Sequence, residues 1–299
     1  MIKSITVTNH RGDELLLDFS CPEQSGLIVK SITGLGSDAN VNTSSIATSD
    51  GEVFNSARMK SRDIVITFIY DEQDPESSRL KSYKFFPIKK KVRLAFKTGQ
   101  NDCYIEGYVE KHEITVFSEQ AYGSVTITCP DPYFYSTSTG ITSLSGTDSE
   151  FEFPFYKEID EEGTIEMSQL RILKERSVYY TGNIDTGVVI NIHLIGLVND
   201  LVIYNVNTRE RMTFDDSVLT TIIGSQFKAL DDIKISTVNG DKYVMLVRDG
   251  VSTNIVNAVA RNSDWFVLSQ GDNVFTYSAS VGEYNVQMEI QNKIIYEGI

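Results

Sequence analysis

The chain has 299 residues, of which 41% are hydrophobic and 10% aromatic, and its formal net charge is −14. This length predicts two domains that each bury a core, and the composition excludes a largely disordered protein. The acidic balance argues against general nucleic-acid binding, and against sequence-specific binding, because phosphate contacts need clustered lysine and arginine.

The charge is unevenly distributed along the chain. Residues 1–135 carry 15 basic and 18 acidic side chains, whereas residues 136–299 carry 12 and 23. The simplest interpretation of the acidic second half is a solvated surface. The alternative is a surface that repels DNA or attracts a basic partner.

Cysteine usage and hydropathy set the expected compartment. The three cysteines are unevenly spaced with no CxxC pair, so we predict no disulfide framework and folding in a reducing cytosol. The N-terminus lacks the apolar core of a signal peptide, and no apolar run reaches membrane-spanning length. We therefore expect a soluble protein with no membrane partner.

The first part of the chain reads as strands with one polar interruption. Residues 1–7 and 14–19 alternate apolar and polar side chains around a glycine-containing turn, which predicts a hairpin. A third apolar run covers residues 27–32. Residues 38–52 are rich in Asn, Ser and Thr, which predicts a long loop or an extended arm that either carries an interaction or is mobile.

A strong strand and a helix follow. Residues 61–70 (SRDIVITFIY) form the most continuous β-branched and aromatic run, which predicts a central strand buried on both faces. Asp74 is a good N-cap and Pro75 suits the first helical position, so a helix begins there and ends before Pro87. Its expected apolar stripe consists of Leu80, Tyr83 and Phe86.

The remaining pattern divides the chain into two folding units. Period-two alternation continues to residue 129, and two prolines at positions 130 and 132 end the pairing. We predict an α+β domain at residues 1–136, a linker at 137–150 and an all-β sandwich or jelly roll at 151–299 that requires no helix. The expected fold class is mainly β.

No catalytic, cofactor or metal residue is assigned. His10, His112 and His193 lie in three distant segments without metal-ligand spacing. Residues 34–39 match GxGxxA, but the polar run that follows favours a tight turn over a dinucleotide loop. A Cys–His dyad and a calcium site among the acidic clusters stay open as minor alternatives, and the expected answer is that the chain is not an enzyme.

A cationic group stands out in this acidic protein. We predict a subunit interface that uses Arg58, Arg62, Lys89, Lys90 and Lys91, where cations would meet carboxylates of a neighbouring copy. The alternative is a solvated basic face, because isolated exposed ion pairs contribute little stability.

Several short motifs, taken in order, resemble the siphophage distal tail proteins of the Dit family. Each motif is short, but their order and spacing span nearly the whole chain. The matching residues in the first half are Gly34-Leu35-Gly36, Arg58 and Arg62 before IVITF, Asp74-Pro75-Glu76, the block at 105–110 and CPDPYF at 129–134.

This resemblance implies a virion structural protein. It implies a first domain that assembles into a homo-hexameric ring at the tail tip or baseplate, and a galectin-like second domain. The implied partners are the tail tube protein, a tail-associated fibre or lysin protein and receptor-binding proteins, with assembly in the host cytoplasm. Galectins bind sugar through His-x-Asn-Pro-Arg, but His193 is followed by Leu194-Ile195-Gly196. The resemblance to galectins therefore does not imply that the second domain binds sugar.

Two rival functions remain at this stage. The first is a carbohydrate-binding module that attaches the particle to the host cell wall. The second is a wall-degrading enzyme, for which the sequence offers no recognisable acid/base pair.

Overall fold

The computed structural model describes residues 2–46, 50–115, 117, 120–149, 168–172 and 175–299. The described chain is mainly β, as predicted, and packs its strands into antiparallel sheets. Contacts within the chain divide it into unit 1, Met1–Ser138 with Ile295–Ile299, and unit 2, Thr139–Ile294. The return of the last five residues to unit 1 was not predicted.

Unit 1 is built on two sheets that share one long strand. The elements are β1 (Ser4–Thr8), β2 (Glu14–Asp18), β3 (Leu27–Thr33), β4 (Ala39–Ser45), β5 (Glu52–Met59), β6 (Arg62–Tyr70), α1 (Pro75–Phe85), β7 (Lys91–Lys97), β8 (Asp102–Thr115), β9 (Tyr122–Cys129) and β10 (Phe134–Ser143). The first half of β8 pairs with β7, which continues through β1 to β2, and β10 also pairs with β8. The second half of β8 pairs with β9, which continues through β6 to β3.

The predicted central strand is central but not buried on both faces. Strand β6 has neighbours on both edges, and every second residue from Arg62 to Tyr70 is buried. The intervening residues are exposed or half-buried, because this sheet packs against the core on one side only.

Helix α1 begins where the caps predicted, but it buries a different face. Oδ1 of Asp74 accepts a hydrogen bond from Ser77 N at 3.0 Å, and Pro75 occupies the first turn. The buried helix residues are Ser78, Ser82 and Phe85, whereas the expected stripe residues Leu80 and Tyr83 are 58% and 46% exposed. The sequence prediction for that stripe was therefore wrong for Leu80 and Tyr83, whereas Phe86 is buried as expected.

Close packing explains why the buried helix residues Ser78 and Ser82 are small. A Cβ atom added at Gly26 would lie 2.8 Å from Oγ of Ser78, so neither Gly26 nor Ser78 could hold a larger side chain without a shift. The apolar anchors come at the end of the helix, where Phe85 and Phe86 are buried and Phe86 stacks on Phe68.

Unit 2 is a sandwich of two sheets around its own core. The elements are β11 (Ser145–Ser149), β12 (Ser168–Ile172), β13 (Glu175–Tyr180), β14 (Val189–Leu194), β15 (Val202–Asn205), β16 (Glu210–Thr213), α2 (Asp216–Ile223), β17 (Asp232–Ser236), β18 (Tyr243–Arg248), β19 (Val251–Asn254), β20 (Gly271–Ser278) and β21 (Val286–Tyr296), with short 3-10 turns at Val256–Ala258 and Glu283–Asn285 and a further one in unit 1 at Pro22–Ser25. The strand order is β19-β18-β17-β14-β21 in one sheet and β13-β20-β15-β16 in the other.

Two features of unit 2 depart from the sequence prediction. The helix α2 was not expected, although Asp215 caps its start through Ser217 N and Val218 N, and Gly224 at φ 75° ends it. Residues 137–143 and 145–149, where the composition suggested a linker, lie in β10 and β11. The first part of the predicted β-sandwich, residues 151–167, lies outside the described residues.

Candidate functional site: an uncovered hairpin arm

Strands β4 and β5 form a hairpin that projects from the sheets of unit 1. They pair with each other and, in the part of the chain that the structure describes, with no other strand. Every described residue from 42 to 58 is exposed. The sequence prediction of a loop or arm at residues 38–52 therefore resolves as an arm, and the arm continues to Met59.

The register gives the arm two different faces. Val41 pairs with Ala57 and Thr43 pairs with Phe54, which places these side chains on one face together with Ala39 and Met59. The pairing shifts by one residue between Asn42 and Thr43, because a bulge leaves Asn55 of β5 with no residue directly opposite on β4.

The opposite face of the arm is polar apart from Val53, which pairs with Ser44, and Glu52, paired with Ser45, lies on the face of Val41. Asn42 Nδ2 donates to Ser56 Oγ at 3.1 Å, and Asn55 Nδ2 donates to Ser44 Oγ at 2.5 Å. Val41 and Phe54, on the other face, are 54% and 62% exposed. An amphipathic hairpin with its apolar face in water indicates an interaction surface.

The base of the arm is anchored by Arg62, the first residue of β6. Its Nη1 donates to the carbonyl oxygens of Gly34, Leu35 and Gly36 at 3.1, 2.8 and 2.8 Å, and its Nε donates to that of Pro132 at 2.8 Å. Its Nη2 donates to the carbonyl oxygen of Glu297, in the C-terminal segment.

Burial removes Arg62 from the predicted interface. The side chain is 6% exposed, and desolvation lowers the pKa of its guanidinium below the usual arginine value. Its guanidinium carbon lies 4.8 Å from the centroid of the Phe134 ring. The alternation of Arg62 with the buried residues Ile64 and Ile66 was the sequence signal for this position.

The other predicted interface cations have exposed side chains. Arg58 is exposed on the polar face of the arm, opposite Asn40. Lys89 adopts φ 64° in the turn before β7, where its N–H donates to the carbonyl oxygen of Val109 at 2.9 Å, and Lys90 is exposed beside it. Lys91 Nζ lies 2.7 Å from a carboxylate oxygen of Glu106, which raises the pKa of the lysine. Their use in an interface stays a prediction.

Among the cysteines and histidines of unit 1, Cys103, Cys129 and His112 are buried or partly buried, and His10 and Cys21 are exposed. Burial raises the pKa of Cys103 to about 11 and of Cys129 to about 12, so both thiols are protonated and unreactive at neutral pH.

His112 packs against Phe68 and Tyr83, and desolvation lowers its pKa. Nε2 of His112 lies 3.3 Å from Oγ of Ser82, whose hydroxyl donates to the carbonyl oxygen of Arg79 at 2.7 Å. Ser82 is fully buried, so this Ser–His contact is closed to a substrate.

His193 lies on the solvent side of a sheet in unit 2. Its Nδ1 is 2.7 Å from an Asp232 carboxylate oxygen, within a shallow groove of about 410 Å³ that Asn191, Lys234 and Glu289 also line. Across the described ranges, no three His, Cys, Asp or Glu side chains are grouped to hold a metal ion. Across the same ranges, no helix is long and apolar enough to cross a membrane.

Comparison with solved structures gives a full-length match. The chain is similar to the crystal structure of the SPP1 Dit (gp 19.1) protein, a hub of the adsorption apparatus in phages that infect Gram-positive bacteria. The TM-score is 0.62 at 12% sequence identity, and the match covers 97% of this chain and 98% of that chain.

Two weaker matches come from the phage P2 baseplate in its activated conformation. The chain in the structure with Ca gives a TM-score of 0.47 at 12% identity and full coverage of both chains, and the chain with Sr gives 0.44 at 12% identity and 99% coverage of both. No protein-family model and no curated protein matches the sequence. The fold expected from the sequence resemblance is confirmed: this chain has the fold of the SPP1 Dit protein.

Proposed function

We propose that this chain is a structural hub protein of a phage tail tip, which assembles with copies of itself into a ring. The observation that carries the proposal is the arm, an amphipathic hairpin whose apolar face is uncovered. The shared fold with the SPP1 Dit hub protein supports the same role. The proposed mechanism is assembly, and we assign no catalytic reaction to the chain.

An isolated two-stranded hairpin is marginally stable in water, so the arm gains stability when another surface covers it. Complete burial of a valine or phenylalanine side chain contributes about 1.5–3 kcal/mol. Burial of Val41 and Phe54 against a neighbouring copy would add a contribution of this kind for each side chain. A ring repeats the contact at every subunit, and the proposed ring has six.

The charge of the chain fits a ring with a channel through which DNA passes. Its net charge of −14 disfavours adhesion of the phosphate backbone to the protein. In this proposal the ring joins the tail tube to the tail-associated fibre protein and to receptor-binding proteins. The protein would then be a virion component that is made and assembled in the host cytoplasm.

Two variants with matched charge test the role of the arm. Val41→Asp with Phe54→Asp places two carboxylates on the apolar face, and Asn42→Asp with Ser56→Asp places two on the polar face of the same hairpin. Light scattering after size-exclusion chromatography should show a smaller particle for the first variant and the wild-type mass for the second. Equal masses for the two variants would contradict the proposal.

A second candidate function is carbohydrate binding by unit 2. The observation that favours it is the shallow groove on β14, β17 and β21, where Asn191, His193, Asp232 and Glu289 offer the hydrogen-bonding groups that a sugar needs. Titration calorimetry with host cell-wall polysaccharide tests this function. Binding that is lost in Asn191→Ala would support it, and absence of heat at millimolar sugar would remove it.

A further inference from the structure

The chain returns to unit 1 after it has passed through unit 2. The returning segment, Ile295–Ile299, is called the strap here. Tyr296 and Ile299 are half-buried against the core of unit 1, and Ile295 is 9% exposed. The first folding unit is therefore completed by residues that follow the second unit in the sequence.

The arm joins unit 1 through a neck of two short segments, residues 34–38 and 60–61. Since the arm has no third strand among the described residues, its neck sets its direction relative to unit 1. Gly34 has φ 84°, and a Cβ atom there would lie 2.0 Å from the carbonyl oxygen of Asp63. The neck thus crosses directly over the start of β6, where only glycine fits.

Arg62 joins the strap to the neck. Its Nη1 donates to three carbonyl oxygens of the neck, and its Nη2 donates to that of Glu297 in the strap. A Cβ atom added at Gly298 would lie 3.0 Å from the carbonyl oxygen of Leu35, so the two backbones are in close contact. Displacement of the strap would leave Nη2 without this acceptor, and a buried charged donor without its acceptor is unfavourable.

We infer that the strap holds the arm in the orientation that assembly requires, so that a copy joins the ring only after its unit 2 has been made. The inference rests on the proposed self-assembly and names what controls it. Without the strap the hairpin would move relative to unit 1, and ordering this motion against a neighbouring copy would lower the affinity. Because synthesis proceeds from the N-terminus, the arm exists before the strap does. The strap thereby keeps incomplete chains out of the assembly.

Two double variants of the full chain test the strap. Tyr296→Ser with Ile299→Asp removes its apolar contacts with unit 1 and keeps its main chain. The control, Tyr284→Ser with Ile195→Asp, makes the same changes at positions of unit 2 that are 68% and 43% exposed. Light scattering should show that association is weakened about tenfold or more in the strap variant, whereas the control should assemble like wild type.

Hydrogen exchange measures the neck separately from assembly. The strap variant is compared with its parent in a background that carries Val41→Asp and Phe54→Asp, so that a neighbouring copy does not protect the arm. Exchange at residues 34–38 should rise about tenfold or more, whereas exchange in β1 and β2, which belong to the core of unit 1, should stay unchanged. Unchanged exchange in the neck, or assembly of the strap variant at the wild-type affinity, would overturn the inference.

The wild-type protein offers a test that does not depend on the folding of a variant. In dilute urea, the amides of residues 34–38 and 297–299 should exchange through one opening event, at a lower urea concentration than those of β6. Separate opening events would overturn the inference, even where the strap variant unfolds.

The particle mass of the wild type, measured in parallel, separates the two proposals. A monomeric wild type contradicts the proposed function. An assembled wild type whose strap variant assembles equally well contradicts the role of the strap alone.

Discussion

Two hairpins of unit 1 share the same alternating pattern but have opposite surroundings. In β1–β2 the apolar residues Ile5, Val7, Leu15 and Leu17 are at most 6% exposed. In the arm, the apolar face that includes Phe54 is exposed to solvent. Alternation thus determines which side chains share a face, and the rest of the protein determines whether that face is covered by the same chain.

The largest expected difference in the free energy of unfolding is between replacing a buried and replacing an exposed apolar residue. Leu17→Ala should lower the free energy of unfolding by about 2–5 kcal/mol, because it leaves a cavity in the core. Phe54→Ala should change it by less than about 0.5 kcal/mol in the monomer, since the ring contacts solvent. Urea unfolding at low protein concentration measures both, and equal losses would show that the arm is packed like the core hairpin.

The anchor of the arm provides the next test. Arg62→Met should lower the free energy of unfolding by about 3 kcal/mol, because it leaves buried carbonyl oxygens without their charged donor. It should also speed hydrogen exchange at residues 34–38 and 297–299. Arg58→Met, on the exposed arm, is the matched control and should lie within about 0.5 kcal/mol of wild type. Unchanged exchange in Arg62→Met would refute its role as an anchor.

Leu230 extends the comparison to unit 2. Its replacement should change the free energy of unfolding by a smaller amount and in the opposite direction. Leu230 is 75% exposed and adopts φ 66°, in the left-handed region. Leu230→Asn should raise the free energy of unfolding of the monomer by about 0.5–1 kcal/mol, since asparagine tolerates the left-handed region better than leucine. Thermal unfolding measures this effect, and a variant that is destabilised would show that Leu230 supports the fold.

The basic turn should contribute least. Reversing the charge of Lys89, Lys90 and Lys91 to Glu should loosen the assembly at low salt by about 1 kcal/mol or less per exposed pair, and the difference from wild type should shrink at high salt. Light scattering at two ionic strengths measures this. A particle mass that is unchanged at both would exclude these lysines from the interface.

The sequence predicted where helices and strands begin and end better than it predicted which of their faces are buried. Asp74, Pro75 and Pro87 predicted the limits of α1, because caps and prolines act locally. The buried face of α1 was mispredicted, since Ser78 is buried by its close approach to Gly26, a residue distant in sequence.

The interface residues show the same limit. Arg58 and Arg62 are four residues apart and look alike in sequence, yet one is exposed on the arm and the other is buried beneath its base. The alternation along β6 gave the position of Arg62, but the carbonyl oxygens that receive it come from three distant segments. Helix α2 had a clear cap in Asp215 and was missed because it is only eight residues long.

The particle mass of the wild-type protein tests the central claim most directly. A single chain has a mass of 33.5 kDa. Light scattering should give a stable multiple of this mass, six in the proposed ring, that persists on dilution. A mass of one chain at every concentration would contradict assembly through the arm.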